Sequence, residues 1–349
     1  MLFRIALSDE ELRECDSGAL EESVTELLRA HRVGNHLVVM ERNCARSLKN
    51  LIQFAPRDLR VVERLEQEFT QTGWLHTKAK SYVEMVSTGE MRVCGSAIKV
   101  PVGHLGHANV GEVPKLLVEN GVSDGFVIGY ILRCLQRRKG LPKVRFDPLH
   151  GGGASLPKIF EEQLKRRSII FCVVDSDRRS PSHPPSRSAS QVIEACKAND
   201  WKLAGALVLP CHEIENVIPF EVILTLQCAV GCSWNGFIRR IIDWERANGV
   251  PPPNGFWLFF DIKKGCSSLY DVHEMDLHWF TQRIGAAGIS SEEWNHAGYG
   301  SNVVNLLEQD HRGLSGLATE INKPEWLSVF GGVFEELSWF FAASEGIRT

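Results

Sequence analysis

Between residues 115 and 209 the chain alternates short apolar runs with amphipathic stretches, and the breaks between them are brief. The runs KLLVE (115–119), KVRFDPL (143–149), SIIFCVV (168–174) and KLAGALVL (202–209) predict four strands. Between them, DGFVIGYILRCLQRRKG stopping at Gly140, LPKIFEEQLKRR entered through a glycine turn, and SASQVIEACKAND predict three helices. Alternation of this kind predicts an α/β fold with a parallel sheet and right-handed crossovers. The third run, Ile169 to Val174, is apolar throughout, the mark of a central strand covered on both faces.

The flanks read differently. Residues 1–110 predict an N-terminal α/β domain: LFRIAL and HLVVM as strands, with EESVTELLRAHRVG and RDLRVVERLEQEFTQTG as helices. Asp9 follows the first of these strands and Glu41 the second, which makes them a candidate second acidic site. The glycines of VGHLGHANVG read as a linker, with His104 and His107 as loop residues. Residues 111–222 form the predicted central domain, and 223–349 a mostly helical one with turns at NGVPPPNG and KKG. Seven of the nine tryptophans fall in this last third (Trp234, Trp244, Trp257, Trp279, Trp294, Trp326 and Trp339). They predict an aromatic core, with one or two left open as stacking platforms for bases.

Composition narrows the function classes. With 349 residues, 44% hydrophobic and 23% charged, the chain is long enough for more than one domain, each with a real core. A net charge of −4 excludes a polycation, so any nucleic-acid contact must come from local basic patches. Ten cysteines without a C-x-x-C pair predict a reducing cytoplasm, and the spacing of Cys228 and Cys232 suits one helix face better than a zinc knuckle. MLFRIALSDEELRE lacks the basic-then-apolar order of a secretory leader, and GFVIGYILRCL is too short to span a membrane. No G-x-x-x-x-G-K-[ST] loop is present, so energy-dependent activation would need an ATPase or sensor partner chain.

The chemistry gathers at predicted strand ends, where open α/β sheets bind their ligands. Glu119 ends the first central strand, Asp175 and Asp177 the third, and Glu213 and Glu215 follow the fourth. Carboxylates crowded on one sheet edge repel one another strongly unless a cation neutralises them, and Mg²⁺ or Mn²⁺ prefers such oxygen ligands. Glu213 and Glu215 alternate, so an extended segment would aim only one of them inward; Glu213 is the expected one. A D-x-D by itself also reads as a polar strand end, with Asp175 capping the next turn.

In order and spacing, LLVENGVSD, the glycine turn before a helix, and FCVVDSD resemble the TOPRIM domain shared by topoisomerases, primases and the overcoming-lysogenization-defect nucleases. The resemblance covers residues 112 to 220. It implies that Glu119 is the first-strand acid and that Asp175 and Asp177 are the metal-binding pair. ENGVSD is similar to the Glu-Gly-x-Ser-Asp of the nuclease branch with one residue inserted, which brings in Asp124 as a further acid. HEIENVIP resembles stand-alone TOPRIM proteins of bacterial mobile-element and anti-phage loci. The implied activity is Mg²⁺- or Mn²⁺-dependent cleavage of DNA or RNA. Glu119 would bind a second metal or act as general base, and Glu213 or Glu215 would complete the shell.

Arg178, Arg179 and Arg187, the KRR of 165–167, Lys263 and Lys264 make a basic flank suited to phosphates. Gly151 to Gly153 would allow close backbone approach to a phosphate, and the Pro/Ser loop 180–188, without apolar anchors, reads as a mobile flap. Three rival readings stand beside the nuclease. A D-x-D glycosyltransferase would not require Glu119 or the HEIEN acid. A haloacid-dehalogenase-type phosphatase expects Thr or Val where Arg179 stands. A non-catalytic TOPRIM-like regulatory or partner protein is the third.

Overall fold

The computed structural model describes residues 1–106, 109–226, 235–266, 269, 272–290 and 298–347, with Lys139 described by its backbone alone. His107, Cys228, Cys232, Trp234 and Trp294 lie outside the described residues. The fold is α/β, as the alternation predicts. Strands β1 (Leu2–Ile5), β2 (Leu37–Met40), β3 (Tyr82–Val86), β4 (Arg92–Cys94) and β5 (Ala97–Pro101) form one sheet in the order β2-β1-β3-β5-β4. All its pairings are parallel except β4 with β5.

Five further strands follow the glycine-rich stretch and one closes the chain: β6 (Lys115–Val118), β7 (Lys143–Val144), β8 (Asp147–His150), β9 (Ile170–Val174), β10 (Ala204–Val208) and β11 (Ala342–Ala343). The second sheet runs β10-β9-β6-β8, parallel throughout. Every residue of β9 is buried, which is why its sequence is unbroken apolar. Helices Ser123–Lys139, Leu156–Lys165 and Arg187–Ala198 make the crossovers.

The predicted strand KVRFDPL splits in two. Lys143 and Val144 leave the sheet and pair antiparallel with Ala343 and Ala342, while the Arg145 N–H donates to Phe341 O at 3.0 Å. Only Asp147–His150 joins β6, and it does so at the sheet edge, where Pro148 need not donate to a further neighbour.

Three other expectations are revised. The segment taken for a linker forms a short helix, Val102–Leu105, and buries Val102, Leu105 and Val110. It is fastened by Ser23 Oγ donating to Val102 O at 2.9 Å and Asn35 Nδ2 donating to Gly111 O at 2.7 Å. One apolar core runs from Phe3 through Leu116 and Phe171 to Phe341, so the two sheets share it. The acids of the N-terminal sheet are already engaged: Arg4 bridges Glu41 and Glu84, and Asp9 accepts the Ser47 hydroxyl at 2.5 Å.

The last third is helical, with Asn235–Ala247, Glu274–Ala286, Val303–Gln309, His311–Glu320 and Pro324–Phe340. Trp257, Trp326 and Trp339 are buried, and the indoles of the first two donate to Ile218 O and Val217 O at 2.8 and 2.9 Å. All three are core side chains; the polar edges of Trp257 and Trp326 are satisfied internally, while the buried Trp339 Nε1 has no hydrogen-bond partner among the described residues. Among the described residues no helix is long and apolar enough to cross a membrane.

Candidate acidic metal site

Parallel pairing alone aligns the acids. Leu117 of β6 lies opposite Cys172 of β9, so two residues further on Glu119 comes level with Val174, just before Asp175. Val174 is in turn opposite Val208 of β10, and the Leu209 N–H donates to Val174 O at 3.0 Å. All these strands point the same way, so their carboxyl ends share one edge.

Beyond β9 the chain turns sharply. Asp177 adopts a left-handed conformation with φ 54°, which Asp tolerates better than most residues. The turn is held from the β10 exit: Asp177 N–H donates to His212 O at 3.0 Å, and Ser176 donates its hydroxyl to Cys211 O. Asp175 is left buried, 9% exposed, while Asp177 stands exposed on the rim. Among the described residues neither carboxylate, nor that of Glu119, has a hydrogen-bond or ion-pair partner.

Burial, then Glu119, Asp124, Glu213 and Glu215, push the Asp175 carboxyl well above the usual range. Burial, then Asp177, Asp124 and Glu213, raise Glu119 to about 7 against the pull of Lys263. The acids share this edge and act on one another electrostatically, but among the described residues the ligand atoms of Glu119, Asp175 and Asp177 do not all lie within 4.8 Å of one another. Asp124 is buried at the start of helix Ser123–Lys139, where it accepts the Asn120 N–H and the Ser123 hydroxyl, each at 2.8 Å. Its carboxyl is raised by burial, against those two hydrogen bonds.

Glu213 and Glu215 depart from the expected alternation. Ile214–Val217 is a 3₁₀ turn rather than an extended segment, and both carboxylates reach one cation. Lys263 Nζ lies 2.9 Å from Glu213 Oε2 and 3.2 Å from Glu215 Oε1. Burial works against the Lys263 ammonium, but Glu215 and Glu213 outweigh it and hold its pKa above the usual value. Glu215 is raised by burial, against Lys263. The lysine's backbone is pinned as well, since Tyr299 N–H donates to Ile262 O at 2.9 Å and Gly300 N–H to Lys263 O at 3.1 Å.

The basic flank is mostly turned inward. Arg178 donates to the carbonyls of His183, at 2.7 Å, and Pro181, and stacks over Phe259. Arg179 pairs with Asp261 at 3.1 Å. Arg187, at the first turn of its helix, and Lys264 are exposed. The 180–188 loop is anchored rather than loose: buried Asp276 accepts the Ser180 hydroxyl at 2.5 Å, and His183 Nδ1 lies 2.5 Å from its other oxygen. Polar anchors from the helical third replace the apolar ones that the loop lacks. Two N–H groups of the glycine turn are also engaged, Gly151 to Val118 O and Gly152 to Glu119 O.

Three residues that sequence reasoning did not single out stand here: His212, Asp261 and Asp276. His212 Nε2 lies 3.7 Å from Glu213 Oε1 and 4.0 Å from Asp261 Oδ2, and ligand atoms of the three residues all lie within 4.8 Å of one another. Burial, together with Arg179, holds the His212 imidazole below its usual pKa despite Glu213 and Asp261. Its place beside Glu213 in HEIE was the one available signal. The chain matches no protein-family model, no curated protein and no solved structure.

Proposed function

We propose that this protein is a metal-dependent nuclease of the TOPRIM type, hydrolysing phosphodiester bonds of DNA or RNA at the carboxyl edge of its second sheet. The observation that carries the reading is the placement of Glu119, Asp175 and Asp177, three carboxylates without hydrogen-bond or ion-pair partners among the described residues, at the carboxyl ends of adjacent parallel strands, with Asp175 buried. A buried unpaired carboxylate is costly, and a divalent cation is the compensation that its oxygen donors suit. Asp175 and Asp177 would hold Mg²⁺ or Mn²⁺, with Glu119 beside them. Such an ion supplies Lewis-acid stabilisation and a more acidic water.

The chain's own residues do the rest. Glu119, with its pKa near 7, exchanges a proton at neutral pH and fits a general base or a second ligand. Lys263 pairs with both Glu213 and Glu215 and offsets one of their two charges, while Glu119, Asp175 and Asp177 have no such partner among the described residues. Exposed Arg187 and Lys264 can meet the nucleic-acid backbone at the rim. The similarity of HEIENVIP to stand-alone TOPRIM proteins extends the reading to anti-phage or mobile-element defence in the cytoplasm, with an ATPase or sensor chain as activating partner. A D-x-D glycosyltransferase would not require Glu119 or the HEIEN acid, and a haloacid-dehalogenase-type phosphatase would carry Thr or Val in place of Arg179.

One observation favours a non-catalytic, regulatory reading: a lysine already occupies part of the acidic edge. Incubating the purified chain with Mn²⁺ and separate pools of duplex DNA, single-stranded DNA and tRNA decides between the two. Cleavage by the wild type that Asp175→Asn loses supports the nuclease; metal binding without cleavage of any pool supports the regulatory role.

A further inference from the structure

His212 is only 2% exposed, and both its ring nitrogens lack a hydrogen-bond partner. A buried imidazole in that state is unusual, because buried polar groups are nearly always paired. Its Nε2 faces Glu213 and Asp261, yet at 3.7 and 4.0 Å neither contact is a hydrogen bond. The gap between the three donors is cation-sized. An ion roughly 2.0–2.2 Å from each ligand atom is accommodated with sub-ångström closure of the three side chains.

Asp261 is oriented as a ligating carboxylate would be. It is 2% exposed; its Oδ1 accepts the Lys264 N–H at 2.8 Å, and Arg179 steadies Oδ2 at 3.1 Å. Outer hydrogen bonds of this kind fix ligating carboxylates in metal sites. The His212 main chain is tied on both sides, its N–H to Leu258 O at 2.7 Å and its carbonyl to the Asp177 N–H.

We propose that His212, Glu213 and Asp261 form a second metal site, separate from the Glu119/Asp175/Asp177 cluster, which takes a divalent transition-metal ion such as Zn²⁺. The imidazole nitrogen is what separates the two sites chemically. It favours zinc-like ions, whereas an all-carboxylate site suits Mg²⁺. The site clamps the turn after β10 to the 258–264 segment, and through His212 O it steadies the backbone of Asp177. It does not depend on the reaction that the acid cluster performs.

The test uses the full chain, stripped with a chelator and then held in excess Mg²⁺ to fill the all-oxygen site. Calorimetric titration with Zn²⁺ is expected to show one tight equivalent. His212→Gln and Asp261→Asn each weaken it by more than the roughly 10–100-fold that loss of an outer-shell partner costs, while Asp175→Asn keeps it. No zinc binding by the wild type, or equal binding by His212→Gln, overturns the site. Loss of the equivalent in Asp175→Asn assigns the ion to the acid cluster and overturns it too. Should His212→Gln fail to fold, X-ray absorption of the zinc-loaded wild type decides: one imidazole with oxygen ligands supports the site, and an all-oxygen or several-histidine shell refutes it. The nuclease reading stands or falls separately, on cleavage.

Discussion

The ammonium of Lys263 sits 2.9 Å from the carboxylate of Glu213, although the two residues belong to different parts of the fold. Glu213 follows β10 in the sheet, and Lys263 lies in the helical third, between helices Asn235–Ala247 and Glu274–Ala286. The contact makes the helical region one wall of the acidic edge, and it sets one cation against two acids.

Removing that cation has a readable consequence. Lys263→Met leaves Glu213 and the buried Glu215 facing each other, and a loss of about 1–3 kcal/mol is expected after allowing for partial solvent screening. Urea unfolding with and without Mg²⁺ measures it. A metal should restore part of the loss in the variant, and no change in either condition would show the ion pair to be idle.

Placement of Lys263 depends on a close backbone approach. A Cβ added at Gly298 would lie 2.1 Å from the Lys263 carbonyl oxygen, so the 261–265 turn must move to admit it. Gly298→Ala is expected to cost about 1–3 kcal/mol as an overpacked contact and to lower the Lys263 coupling. A double-mutant cycle with Lys263→Met checks the second part; strictly additive effects would contradict it.

Glu119 carries a pH signature. Its folded pKa near 7 lies above the ordinary carboxylate value of about 4.3, so between those two pH values the native state holds a proton that the unfolded chain has released. Its contribution to stability therefore falls as pH rises through that window. Buried histidines such as His31, lowered to about 4, act in the opposite direction, so the useful quantity is a difference. The melting temperature of metal-free Glu119→Gln minus that of the wild type should grow from pH 4.5 to pH 7.5. A flat difference would mean that Glu119 titrates normally.

Asp276 fastens the 178–188 loop through Ser180 and His183. Asp276→Ala is expected to cost about 1–3 kcal/mol, since it leaves buried polar groups unpaired. It should also open the loop to limited proteolysis between residues 180 and 188. Ser182, exposed, is the control: Ser182→Ala should change stability by no more than about 0.5 kcal/mol.

The sheet and its acids were legible because parallel strands place their carboxyl ends on one edge whatever lies around them. Glu119, Asp175 and Asp177 follow from apolar runs that stop at an acid. Glu213 and Glu215 were legible as residues but not in orientation, since the 3₁₀ turn at Ile214–Val217 replaced the extended geometry. Lys263 was legible as a basic residue suited to phosphate but not as the partner of Glu213 and Glu215, and Asp261 and Asp276 were not legible as site residues at all. Their roles arise where the helical third folds back on the sheet, and FDIKKG carries no local mark of that return. The same holds for Arg178 and Arg179, whose guanidiniums found carbonyls and Asp261 inside the fold.

The short pairing of β11 with β7 has a consequence for the order of assembly. Ala342 also accepts the Met1 amino group at 2.5 Å, a contact across 341 positions; Ser344 N–H donates to His36 O at 3.3 Å, and Ile347 N–H to Arg32 O at 2.8 Å. One strip of chain thus stitches the first sheet to the stretch that leads into β8. On a ribosome the strands of both sheets emerge long before this strip, so each sheet can form early from its own neighbours, but the seam between them waits for residues 342–347. Closure across so long a loop adds only logarithmically to its entropic cost, yet it delays the event. Until then Phe340 and Phe341, which pack on Phe171, have not been made, and that face of the central strand lacks its aromatic cover during synthesis.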